Sequence, residues 1–250
     1  MGVFFTLLRR ELAAYLVTWT GYVLIAAAAL LTGGSFVVIL TKLRMQASPA
    51  PVTELFFSTQ FFWLILLPMA PLLTMRLFAL ERFTGTFETL MTSPVSEVAV
   101  VLAKFTAALV FYLLLWTPLA ACLALAHRFT GGGPALEVGG LAGTLLGVFL
   151  LGALFISVGC CASALTRSQI VAAMVSVAGG VGLFLLSFVG AGVGGGTGWP
   201  GQLLACAALG EFMAELARGL VDTRPVVFCL SLTAFFLFLT LRVVESRRWN

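Results

Sequence analysis

Charge is what this sequence most lacks. Of its 250 residues only 10% are charged and one is a histidine, where a soluble domain carries roughly a quarter charged residues. That shortage leaves a water-exposed surface without enough polar groups to cover it. One histidine excludes HExxH metalloprotease chemistry, which needs two on one helix face. No GxSxG elbow and no paired intramembrane aspartates are present, which argues against an intramembrane hydrolase. No GxxxxGK[ST] occurs either, and Lys42 and Lys104 both lack a glycine-rich context, so the chain binds no ATP through a P-loop. Cysteine is scarce and never in CxxC spacing: Cys122, Cys160, Cys161, Cys206 and Cys229 all lie in apolar stretches, as core- or lipid-facing thiols do. No metal site is expected. The basic residues form no patch, which excludes nucleic acid as a partner.

What is there is apolar: 61% of residues are hydrophobic, and the mean hydropathy is +1.11. The natural solvent for such a chain is lipid. A helix needs about 20 predominantly apolar residues to cross the hydrocarbon core, and six segments qualify, at about 19–41, 55–78, 99–126, 138–165, 168–190 and 225–243. The first is a retained span, because the apolar run after Arg9 and Arg10 continues for its full length without a cleavage site. An even number of spans puts both termini on one side. With the N terminus inside, Arg9, Arg10, Arg76, Arg82, Lys104, Arg167, Arg242, Arg247 and Arg248 lie inside, against Lys42, Arg44, Arg128, Arg218 and Arg224 outside. The excess of positive residues places both termini in the cytoplasm. The middle of every span is free of Asp, Glu, Lys, Arg and His. Ion-coupled carriers usually keep such groups near the midplane, so uphill transport here would draw its energy from a partner, with sodium coupling through carbonyls and hydroxyls the open exception.

Three connecting segments and two packing features carry further information. Residues 1–18 put Phe4, Leu8, Leu12 and Tyr15 at helical spacing, continuing to Trp19, with Arg9 and Arg10 on another face. This predicts a helix in the interface plane, the alternative being an extension of the first span. In segment 79–98, a helix from about Phe83 aligns Phe83, Phe87, Leu90 and Met91 on one stripe and Thr84, Glu88 and Thr92 on the other, until Ser93-Pro94 stops it. It reads equally as a docking helix for a soluble partner or as a solvated loop. The outer connection, 191–224, begins Gly-rich and then sets Leu209, Phe212, Met213, Leu216 and Leu220 on one face and Glu211, Glu215, Arg218 and Asp222 on the other. It is too polar to span, and suits either an ordinary surface helix or a re-entrant element shielded by other spans. Gly139, Gly143 and Gly147 form a ridge for close helix approach in the fourth span, read as packing rather than a specified dimer face. Pro68 and Pro71 predict a kink in the second span, as a lever or as a static bend.

Segment 78–96 also carries a resemblance. Glu81-Arg82, Gly85-Thr86, Glu88, Leu90 and Ser93-Pro94-Val95-Ser96, followed by Leu102-Ala103-Lys104, resemble the signature after the second span of type-2 ABC exporter permeases. The stretches LLRRELAAYLVTWTGYV, SALTRSQIVAA and ARGLVDTRPVVFCLS, with the final ESRRW, are similar to the branch that contains gliding-motility permeases. The matches run in order over nearly the whole chain, and the branch is similar to copper-enzyme maturation permeases as well. The resemblance implies an all-α polytopic membrane protein with six transmembrane helices, an N-terminal interfacial helix, a cytoplasmic coupling helix between spans two and three, and an amphipathic outer segment before span six. The whole of 1–250 would be one permease domain, in a bacterial plasma membrane, paired with a second permease copy or a homologue. Cytoplasmic ABC ATPase subunits would dock beneath it, binding the ATP and magnesium, so that this chain holds no cofactor and no catalytic residue. An extracytoplasmic accessory protein is a further possible partner.

Carried over by residue, the resemblance assigns ATPase coupling to Glu81, Arg82, Gly85, Thr86, Phe87, Glu88, Leu90 and Met91. Glu81, Arg82 and Glu88 would set polar register, and Gly85 would permit a turn or a close approach. Arg218, Gly219, Asp222, Thr223 and Arg224 match an outer-face motif to which no role attaches. Pro225 departs from the branch, where an acidic residue is common. The leading expectation is an ATP-driven exporter permease. A non-transporting mechanical or scaffold subunit of an envelope complex needs the same coupling segment, whereas a self-sufficient secondary transporter is disfavoured by the uncharged span interiors.

Overall fold

The computed structural model describes residues 2–45, 55–57, 60–85, 96–130, 138–193 and 206–246, and all the regular structure among them is helical. Helix α1 (Gly2–Val17) and α2 (Trp19–Met45) are divided by a bend at Thr18. Gly21 sits against the backbone carbonyl of Tyr15. Six residues along a straight helix span about 9 Å, so α1 is a separate helix and not an extension of the first span. Trp19 consequently belongs to α2 and is 82% exposed; it does not continue the α1 stripe, because the bend at Thr18 resets the helical phase.

Among the described residues six helices are long and apolar enough to cross a membrane: Trp19–Lys42, Phe61–Thr84, Glu97–Leu125, Gly139–Leu165, Gln169–Gly190 and Thr223–Ser246. The chain is an all-α polytopic membrane protein. The second crossing ends at Thr84, further along the chain than hydropathy suggests. Hydropathy ends this span at 78, whereas Glu81 and Arg82 beyond it engage Lys104 and the Ala164 carbonyl within the protein.

The second crossing is built from α3 (Gln60–Thr74) and the short α4 (Ala79–Thr84), and the third from α5 (Glu97–Leu115) and α6 (Thr117–Thr130). In the second crossing the prolines are accommodated inside α3 and the regular helix gives way past them, at 75–78. There Leu77 N–H turns to the Thr74 carbonyl at 3.1 Å. Such unwinding is tolerated at membrane depth only where other groups satisfy the freed backbone. Tyr15 Oη donates to the Leu73 carbonyl at 2.8 Å, and Ser163 Oγ accepts from the amides of Phe78 and Ala79 at 3.1 and 3.2 Å.

The remaining elements are α7 (Val138–Leu165), α8 (Gln169–Val193), α9 (Leu209–Ala217) and α10 (Thr223–Ser246). Helix α7 is the axis of the fold. It touches α3, α5, α8, α9 and α10, and 83% of its apolar window is buried, against 22% for α2, 22% for α8 and 17% for α10. Its glycines make this possible, since Gly152 lies under the Tyr112 ring and Gly159 against Thr74.

Candidate functional site

On the side of the membrane that carries the N terminus, α1, α4 and α5 converge on Lys104. A lysine seven residues inside an apolar helix is costly unless paired. Lys104 is 2% exposed, and its Nζ lies 2.8 Å from Glu81 Oε1 and 3.1 Å from Glu11 Oε1. Arg10 Nη2 closes the group, 2.7 Å from Glu11 Oε1 and 3.3 Å from Glu81 Oε1. Two carboxylates and two cations therefore balance, and the Phe78 ring lies 5.5 Å from the ammonium. Burial works against ionisation of Glu11, yet the charge of Lys104 and the hydrogen bonds from Arg10 and Lys104 outweigh it and hold the carboxyl below its ordinary range. The Arg10 guanidinium is raised, chiefly by its hydrogen bond to Glu11.

The same segment is tied to the end of the fourth span. Arg82 Nη1 donates to the Ala164 carbonyl, next to Ser163, which holds the amides of Phe78 and Ala79. Alongside, Tyr15 stacks on Phe111 with ring centroids 5.0 Å apart. The start of the connection between spans two and three is thus fastened to α1, to the third span and to the fourth. Beyond it, Gly85 adopts φ +73 and ends α4 in the left-handed conformation, which L side chains other than glycine avoid. Phe83 and Thr84 close α4, so the helix expected from about Phe83 does not run on continuously through Gly85. Thr86, Phe87, Glu88, Leu90 and Met91 lie outside the described residues.

At the opposite end, the Gly139, Gly143 and Gly147 ridge faces the amphipathic helix α9. Gly143 abuts the backbone of Leu216, and Gly147 the side chains of Met213 and Leu216. Leu209, Phe212, Met213 and Leu216 are buried, while Glu211, Glu215 and Arg218 face outward. Leu220 departs from this face and is 63% exposed. Gly219, at φ +82, ends the helix one residue earlier, its N–H donating to the Leu216 carbonyl at 2.9 Å and that of Leu220 to Glu215 at 3.0 Å. This is a Schellman stop. Three residues on, Asp222 Oδ1 accepts from the Arg224 amide at 3.0 Å at the start of α10, as an N-cap does. In the outer motif, Gly219 and Asp222 therefore form a helix stop and a helix cap.

Among the described residues no group of three or more His, Cys, Asp or Glu side chains could hold a metal ion. A protein-family model described as ABC-2 family transporter protein matches residues 17–183, more than half of the chain, covering the first four spans and most of the fifth. The chain belongs to the ABC-2 transporter family. No curated protein matches it. Family membership makes it a multi-pass permease subunit of an ABC transporter, with an ABC ATPase as its partner.

The sequence pattern marks Glu81, Arg82 and Lys104 but not Glu11, and presents Tyr15 only as an apolar position. A signal was available, since a lysine that deep in a span requires carboxylate partners from elsewhere in the fold. The permease's own sequence could not say which carboxylates, because Glu11 and Lys104 lie 93 residues apart.

Proposed function

We propose that this permease subunit serves an ATP-driven exporter of the gliding-motility-like branch and that segment 79–98 receives the motion of a cytoplasmic ABC ATPase. The supporting observation is the anchorage of the segment's first turn by Glu81 on Lys104, 2.8 Å apart, within a balanced four-charge group. A docking segment that hung free would absorb a partner's movement. One fastened through part-buried ion pairs to α1 and the third span, and through Arg82 to the fourth, passes displacement on to three elements at once. In this reading ATP and magnesium are bound in the partner, this chain supplies no catalytic residue, and both termini lie in the cytoplasm of a bacterial cell, at its plasma membrane. The exposed apolar faces of α2, α8 and α10 serve a second permease copy and lipid.

The test separates docking from transmission. Glu88→Arg and Gly85→Trp should weaken co-purification of the ATPase. Glu81→Gln should leave the ATPase bound but reduce, by several-fold, the change in its turnover on joining the permease in liposomes. Normal binding and normal turnover in all three variants would overturn the assignment.

A further inference from the structure

A cavity of about 410 Å³ opens between α1, α2 and the α3–α4 turn, within the roughly 300–1,000 Å³ of pockets that hold a small ligand. Its wall is layered. Thr18, Thr20 and Arg76 line one level, and Val23, Leu24 and Leu72 the next. Trp19 and Tyr22, 82% and 60% exposed, flank the polar level, and exposed Trp and Tyr at the ends of spans mark headgroup depth. Val23, Leu24 and Leu72 each lie about one turn further into their spans, at acyl-chain depth. The cavity thus crosses the boundary between headgroup and hydrocarbon in the leaflet on the side of α1, whichever way the chain is oriented.

Its charge is one-sided. Arg76 Nη1 reaches Thr20 Oγ1 at 3.4 Å, and no carboxylate among the described residues lies within ion-pairing distance of this arginine. Glu11 also lines the cavity, but its carboxylate is committed to Lys104 and Arg10. An anionic headgroup therefore meets an available guanidinium, a strong partner for phosphate. The ammonium of a zwitterionic headgroup meets no uncommitted carboxylate.

We propose that this cavity is a binding site for one anionic phospholipid, its phosphate on Arg76 beside Thr20 and an acyl chain against Val23, Leu24 and Leu72. Seated between α1 and the first two spans, the lipid fills the gap beside the anchored turn and couples its position to the composition of the leaflet.

Native mass spectrometry of the purified, delipidated protein, titrated with phosphatidylglycerol, phosphatidylethanolamine or inorganic phosphate, tests this. One phosphatidylglycerol per chain should bind at least ten-fold more tightly than phosphatidylethanolamine, and inorganic phosphate should not displace it. Arg76→Gln should abolish that preference, and Val23→Trp, which fills the acyl level without touching the arginine, should weaken both lipids. Lys42→Gln, at the far end of α2, should change nothing. Equal affinity for the two lipids, displacement by phosphate, or no effect of either cavity substitution would overturn the site.

Discussion

Lys104 illustrates how one residue can be both the most costly and the most useful in a membrane helix. Its ammonium is stabilised chiefly by carboxylates brought from α1 and α4. Removing one partner of a buried ion pair typically costs 3–5 kcal/mol, because the opposite charge is left uncompensated. Lys104→Met should therefore destabilise the protein by about 3 kcal/mol, and adding Glu81→Gln should recover part of the loss, as read by thermal unfolding in detergent. The pH dependence has a definite sign. The Glu11 carboxyl is lowered from its ordinary 4.5 in the fold, so its contribution is fully present above that value and lost as pH falls through the lower folded one. Acidification from pH 5 towards pH 3 should release α1, followed by the emission of Trp19 at the α1–α2 bend, and Glu11→Gln should flatten that response.

Two glycines at the level of elements separate backbone strain from packing. Gly85 and Gly219 both end helices with positive φ, at 73° and 82°. A β-carbon on Gly85 would meet nothing within 4 Å among the described residues, whereas one on Gly219 would lie 3.2 Å from the Gly139 carbonyl carbon and 3.3 Å from the Gly140 nitrogen. Alanine at Gly85 should cost only the left-handed penalty of about 1–2 kcal/mol. Alanine at Gly219 should cost measurably more, by unfolding midpoint, because it also pushes the junction of α9 and α10 off the fourth span. Equal losses would mean that the contact with Gly139 contributes nothing. Helix α9 thus depends on the glycine ridge of α7, which serves packing within one chain.

Across the whole molecule, burial is uneven. The fourth span is enclosed by its neighbours, while the first, fifth and sixth present most of their apolar surface outward. Local opening is rarest where buried contacts are densest, so amide exchange in detergent should be slowest over 150–164, all buried, and faster along α8 and α10. Exchange in α10 as slow as in α7 would contradict this order. Such an arrangement suits a permease that keeps a fixed axis while its outer spans meet lipid and other subunits.

Hydropathy alone set the solvent, the number of crossings and the existence of the outer helix, because a span or an amphipathic face is a local property of some ten to thirty residues. The stop after the second crossing, the outward turn of Leu220 and the separation of Trp19 from α1 depended on backbone geometry at single residues, which periodicity averages away. Tertiary structure alone decided which side chains meet: Glu11 with Lys104, Tyr15 with the Leu73 carbonyl, Arg82 with Ala164, Gly143 with Leu216. These contacts join segments far apart in the chain, and no short-range pattern encodes them. The scarcity of charge was legible from the first. That four of those few charges are gathered around one buried lysine was not, since it follows from how α1, α4 and α5 converge.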